Sequence, residues 1–151
     1  MPALKAHEIP LPVDSPVRKT MPQADYEEAF SRTLPNLGAQ LTSQNLIERM
    51  IHGLPRWIKL ASSLKNRLLL PFGFSPISFE RFTWIDLGSD HKVAIFENAP
   101  FTSHIGVSIY RESNEVVLST RLQLHNTMGR VYLKLIKPIH KLAFQFLLNS
   151  L

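Results

Sequence analysis

Between Glu115 and Leu148 the periodicity of the chain changes once, and that change restricts its fold more than any other feature. Val116, Leu118, Thr120, Leu122 and Leu124 fall on alternate positions, as on one face of a β-strand. The other face carries Glu115, Ser119, Arg121 and Gln123, with Val117 the exception. That alternation predicts one buried and one wet face, the pattern of an antiparallel sheet. From about Thr127 the apolar positions take helical spacing: Met128, Val131, Tyr132, Leu135, Ile139, Leu142, Ala143, Phe146 and Leu147. Arg130, Lys134, Lys137, Lys141, Gln145 and Asn149 line the opposite side. A half-apolar strand followed at once by a long amphipathic helix predicts that the helix packs its stripe on the sheet. Pro138 lies inside the helix, removes the amide that would bond the Lys134 carbonyl, and is expected to kink it.

Upstream, the same reading gives two helices and then strands. Thr42-Ser43-Gln44-Asn45 offers N-caps before Leu46, Ile47, Met50 and Ile51. Gly53 punctuates, and Pro55 suits the first turn of a second helix through Trp57, Leu60, Leu64 and Leu68. That second stripe is expected to face a core, with Pro71 and Gly73 ending the helix. Period two then takes over in Phe79–Leu87, with a hairpin turn at Gly88-Ser89-Asp90 into His91–Asn98. Pro100 breaks that strand, Ile105, Val107 and Ile109 alternate, and Glu112-Ser113-Asn114 reads as the next turn. Asp25–Thr33 suits either a helix or a strand. The sum is an α+β domain over residues 24–151, with a helix pair, an antiparallel meander and a long C-terminal helix.

Residues 1–23 hold five of the eleven prolines and no sustained period, so they read as an extended Pro-rich arm. Ile9, Leu11, Val13 and Val17 are candidates to seat that arm on the domain. The same prolines, with Lys5, Glu8 and Asp14, argue against a signal peptide, and no apolar run reaches the roughly 18 residues of a membrane span. The chain has no cysteine, which rules out disulfides, thiolate metal sites and a thiol nucleophile. A cytoplasmic protein without stable membrane insertion is the expectation. The net charge of +5 is mild, and nucleic-acid binding is not expected.

No Walker loop, dinucleotide glycine signature, nucleophile elbow or paired-histidine zinc motif is present, so no catalytic, metal or cofactor residue is assigned. Asp86, Asp90, His91 and Glu97 gather around one hairpin, where a polar turn explains them better than a metal. Trp57, Phe79, Phe82, Trp84, Phe96 and Phe101 supply aromatic lining for a cavity or filling for a core. Asn126 is placed to cap the last helix, Gly129 permits a close approach, and Arg130 offers a bidentate cation. Tyr132 and His140 are two turns apart and share a face. These polar groups read either as the mouth of a ligand cavity or as ties between helix and sheet.

The run His125-Asn126-Thr127-Met128-Gly129-Arg130-Val131-Tyr132, followed by Ile136-Lys137-Pro138-Ile139-His140, resembles the signature of a bacterial family. That family is catalogued as domain of unknown function 2867. Asp25–Phe30, Pro55-Arg56-Trp57 and Leu64–Leu68 are similar to its other recurrent pieces. Two departures stand out: Ser103-His104-Ile105-Gly106-Val107 replaces a usual His-Leu-Asp-Phe run, and Ile139 replaces an aromatic. The resemblance implies no activity. Its element order looks like the helix-grip fold of START and Bet v 1 relatives, where a curved sheet wraps a C-terminal helix around an apolar ligand. The resulting expectation is a domain holding a small apolar or amphipathic molecule, with Trp57, Trp84, Phe96, Arg130, Tyr132 and His140 as ligand-binding residues. An enzyme acting on an apolar substrate, with His140, Tyr132 and Arg130 as its only acid–base or anchoring set, and a protein or membrane interaction module are the alternatives.

Overall fold

The computed structural model describes residues 5–72 and 82–151. Among them, six strands form one curved, open antiparallel sheet in the order β1-β2-β6-β5-β4-β3. The strands are β1 (His7–Ile9), β2 (Tyr26–Thr33), β3 (Thr83–Asp86), β4 (His91–Glu97), β5 (Phe101–Tyr110) and β6 (Glu115–Leu124). The helices are α1 (Pro16–Thr20), α2 (Ser43–His52), α3 (Arg56–Leu69) and α4 (Thr127–Asn149). The ambiguous segment at Asp25–Thr33 is therefore a strand, and it pairs with β6 so that Glu28 lies opposite Thr120 and Phe30 opposite Leu118. Phe79 and the start of the strand expected there lie outside the described residues.

Local chemistry accounts for the joints. Thr42 caps α2 through a reciprocal pair with Asn45, its hydroxyl accepting from the Asn45 amide at 3.2 Å. Asn114, at φ 53°, closes the β5–β6 turn, and Gly88, at φ 104°, closes β3–β4; both sit in the left-handed region those residues tolerate best. α3 ends at Leu69 and passes into a 3-10 turn, Leu70–Phe72, around Pro71. α4 continues through Pro138 to Asn149.

One face of the sheet, here the inner face, takes α2 and α4. Phe30, Val107, Ile109, Val116 and Leu118 pack there with Leu46, Ile47 and Met50 of α2 and Phe144 and Leu148 of α4. Burying an aliphatic or aromatic side chain of this size stabilises by about 1.5–3 kcal/mol, so this cluster is the main driving force of the fold.

The outer face differs from the expectation of a wet surface. Ser119 is fully buried, Arg121 is 8% exposed, and Val117 is buried as well. They are covered by the N-terminal segment, which holds elements of its own: β1 pairs with β2, and α1 lies over β4, β5 and β6. Leu11 and Val17 seat on Ala29, Val93 and Val117, with Ile9 at the margin, whereas Val13 is 91% exposed and seats on nothing. The fit is close because Gly106 has no side chain there. A Cβ on Gly106 would lie 2.7 Å from Ser119 Oγ and 2.9 Å from Val17 Cγ1. Arg121 donates to Glu27 at 3.0 Å and to the Met21 carbonyl, so its buried charge is paired.

Two apolar stripes are left bare, contrary to the sequence expectation. On α3, Leu60, Leu64 and Leu68 are 70%, 59% and 63% exposed, and Trp57 is also exposed. On α4, the row that packs is Tyr132, Ile136, Phe144 and Leu148, while Val131, Leu135, Ile139, Leu142 and Phe146 remain exposed. The apolar arc of α4 is wider than one sheet can cover, and period alone does not say which part is covered.

Candidate functional site

α4 is fixed at both ends. At its start, Asn126 Oδ1 accepts from the Gly129 amide at 3.0 Å, capping the helix. Gly129 lies against the Pro100 carbonyl, where a Cβ would stand 2.2 Å from the oxygen. The same oxygen accepts from the His125 amide at 2.9 Å, and His125 Nε2 lies 2.7 Å from Thr102 Oγ1. At its end, Arg32 of β2 donates to the Leu148 and Leu151 carbonyls at 2.7 and 2.8 Å, where the helix carries partial negative charge. Most of the signature run at His125–Gly129 therefore builds a helix start.

Midway between these anchors the packing turns polar. Tyr26, Glu28, Phe30 and Arg32 alternate along β2 toward the inner face, which carries the Glu28 carboxylate under α4. Glu28 is buried, and its Oε1 meets His140 Nδ1 while its Oε2 accepts from the Tyr26 hydroxyl at 2.8 Å. Burial works to raise the Glu28 pKa; the His140 hydrogen bond and charge, the Tyr26 hydrogen bond and the Lys141 charge outweigh it and hold it below the usual range. An ionised carboxylate only accepts, so Nδ1 carries the proton and Nε2 faces away from Glu28. The His140 ring rests on Phe144, centroids 4.1 Å apart, with its side chain 28% exposed. Lys137 Nζ lies 5.1 Å from the Tyr26 ring centroid, and Lys141 bonds Glu8 of β1 at 2.9 Å. Opposite Glu28, the buried Thr120 Oγ1 has no hydrogen-bond partner among the described residues.

On one side of this polar belt lies the main inner cluster, and on the other a second one of Phe96, Phe101, Leu122 and Tyr132. Its aromatic rings form a row across the sheet. Tyr132 stacks on Phe101 at 4.7 Å, Phe101 meets Phe96 at 6.2 Å, Phe96 meets Phe82 at 5.6 Å, and Phe82 meets Trp84 at 6.0 Å. The row is closed at Tyr132, whose hydroxyl burial pushes up in pKa, and open at Trp84, which is 38% exposed.

Of the six residues expected to bind a ligand, Trp84, Phe96, Tyr132 and His140 thus share the inner face. Trp57 does not: it stands on α3, edge-on to Phe146 at 6.3 Å. Arg130 does not either, because it projects into solvent from the first turn of α4. The trio of Arg130, Tyr132 and His140 is thereby reduced to the last two. Glu28, Thr120 and Tyr26 were not singled out by sequence; a glutamate on the apolar alternation of β2 was the available signal. Around the β3–β4 hairpin, Asp90 chelates the Arg111 guanidinium and Asp86 accepts from the Gly88 amide at 3.2 Å, so both carboxylates shape the turn. Beside it, Thr42, Gln44, Ser89 and Lys92 border a polar cleft of about 450 Å³, remote from His140 in the chain fold.

These features define a class: an α+β domain whose last helix closes over a sheet with a carboxylate-held imidazole between two apolar clusters. The profile of the family described as "Protein of unknown function (DUF2867)" matches residues 20–147, and the chain belongs to that family. No curated protein and no solved structure matches the chain.

Proposed function

We propose that the domain holds a small apolar or amphipathic molecule between the sheet and α4. In this reading the apolar part of the ligand lies along the aromatic row from Trp84 and Phe96 to Tyr132, and its polar group reaches the belt at Thr120 and His140. The observation that carries the reading is the Thr120 hydroxyl, buried opposite Glu28 with no partner among the described residues. A buried polar group left unpaired costs about 1–3 kcal/mol, and a ligand donor or acceptor at this point removes that cost. The element order is compatible with helix-grip domains, which supports the placement of the ligand. A bacterial, cytoplasmic setting belongs to the same reading and is supported by the family resemblance and the cysteine-free composition.

Native mass spectrometry of freshly purified protein, compared with the same sample denatured, tests it. The expected result is extra mass released on denaturation, retained in wild type and diminished in Thr120→Val and Trp84→Ala. No released mass, together with no rise in melting temperature across a panel of fatty acids, sterols and aromatic acids, overturns it.

A second reading, an enzyme acting on an apolar substrate, is favoured by the carboxylate-oriented imidazole. Such an arrangement fixes the histidine tautomer for acid–base work. If a ligand is found chemically altered after release, and His140→Gln returns it unaltered, this reading replaces the first.

A further inference from the structure

We infer that α3 and α4 together form a docking surface for an anionic lipid bilayer. The inference concerns residues other than those of the sheet–α4 seam. Three observations carry it.

The bare rows are regular. Trp57, Leu60, Leu64 and Leu68 follow the spacing of one helix face, and so do Leu135, Ile139, Leu142 and Phe146. The two rows meet where Trp57 touches Phe146, so they form one patch. Contiguous apolar surface of this kind on a water-facing protein marks an interaction site.

The charge is segregated. α3 and α4 carry four Lys or Arg each and no Asp or Glu. The four of α4 line its far side, where Lys137 and Lys141 reach Tyr26 and Glu8, and Arg56 and Arg67 of α3 are the ones that flank the patch. Since the whole chain is only +5, the remainder is net acidic. Arg56 and Arg67 are exposed and, at about 100° per residue, project beside the α3 row rather than opposite it. Among the described residues, Lys141 with Glu8 is the ion pair these basic side chains form with a carboxylate.

Among the described residues, α3 also has little cover: it packs chiefly on the 3-10 turn that follows it. A 14-residue helix is marginal in water by itself, so an apolar surface laid along its row is what stabilises it.

A bilayer fits these facts better than a protein. The rows offer tryptophan, phenylalanine and aliphatic side chains without a polar group to set a register, and a membrane surface demands area and negative charge but no register. A second copy of this chain would bring the same positive charge to the contact. No helix among the described residues is long and apolar enough to cross a membrane, so the helices lie in the interface plane.

The test is co-sedimentation with phosphatidylcholine vesicles, with and without phosphatidylserine. Pelleting is expected with the anionic vesicles only, and it should fall as salt shortens the Debye length from about 30 Å to about 3 Å. Each basic side chain near such a surface is worth roughly fivefold in partitioning, so Arg56→Glu/Arg67→Glu should weaken binding roughly twentyfold or more. Leu60→Asp/Leu64→Asp should abolish it with unchanged circular dichroism and melting, since both positions are already exposed. In a Trp84→Phe variant, where Trp57 is the remaining tryptophan, its emission should shift to the blue on adding anionic vesicles. Absence of pelleting at low salt, equal pelleting on neutral vesicles, or pelleting indifferent to the leucine variant overturns the inference. So does a dimer in sedimentation velocity, or polyglutamate binding, that the leucine variant abolishes while vesicles bind neither protein.

Discussion

Replacing Gly129 by alanine tests whether the start of α4 is set by contact with Pro100. In an ordinary helix interior this change stabilises, because alanine is favoured over glycine by about 1 kcal/mol. Here the added methyl would stand 2.2 Å from the Pro100 oxygen, 3.2 Å from its carbonyl carbon and 3.6 Å from Leu124 Cδ2. The third contact is ordinary; the first is more than 1 Å too close, roughly, for non-bonded atoms. The oxygen has little freedom to retreat, since it accepts from the His125 amide at 2.9 Å and precedes the first residue of β5. Overpacking of this kind costs about 1–3 kcal/mol, and loss of the hydrogen bond adds about 1 kcal/mol, which cancels the gain in helix propensity. The net expectation is a loss of about 2 kcal/mol, or roughly 4–8 °C in melting temperature for a domain of this size. Urea unfolding should show a lower midpoint with an unchanged slope. Gly38→Ala is the control, because a Cβ there meets nothing within 4 Å; it should leave stability within about 0.5 kcal/mol of wild type. If Gly129→Ala proves as stable as wild type or more so, the close approach is not a constraint and the reasoning fails.

Two further outcomes follow from the packing. Glu28→Gln should destabilise by about 2 kcal/mol at neutral pH, since it replaces the buried carboxylate that accepts from His140 and Tyr26. Because the Glu28 pKa is lower in the folded than in the unfolded chain, its contribution is complete above the unfolded value of about 4.3. That contribution fades as pH falls through the folded value, so unfolding curves of wild type and variant should converge in acid, and parallel curves would refute it. Val17→Ala should cost about 2 kcal/mol through lost burial and an unfilled space over the outer face, while Val13→Ala should cost nothing measurable. Equal effects at the two positions, read by thermal unfolding, would show that α1 does not seal that face.

Much of the architecture was legible because it rests on local periodicity. β6 and α4 announced themselves through a clean change of period, and the turns at Gly88 and Asn114 and the Asn126 cap through residue type. What was hidden depends on partners far along the chain. Ser119 and Arg121 look solvent-facing until α1, a helix too short to show a period, is laid over them. Glu28 was not singled out because its partner, His140, lies 112 positions away. The rows on α3 and α4 were assigned to the core because a hydrophobic pattern identifies an apolar side without identifying what covers it. Tyr132 and His140 were found together because two turns of one helix bring them to the same side, whereas Arg130 was grouped with them by its place in the same run and Trp57 by residue type alone.

The pairing of β2 with β6 also bears on how the chain reaches this structure. Apart from the three residues of β1, Tyr26–Thr33 finds its register against Glu115–Leu122, so during synthesis the first third of the chain waits for the last. Closing so long a loop is entropically slow, whereas the β5–β6 hairpin closes locally through a tight turn and can form first. Until β6 has left the ribosome, Phe30 lacks Val116 and Leu118 of its cluster, and the nascent chain presents it to the cell. Such a topology favours late, nearly all-at-once folding and makes holdase chaperones its natural early company.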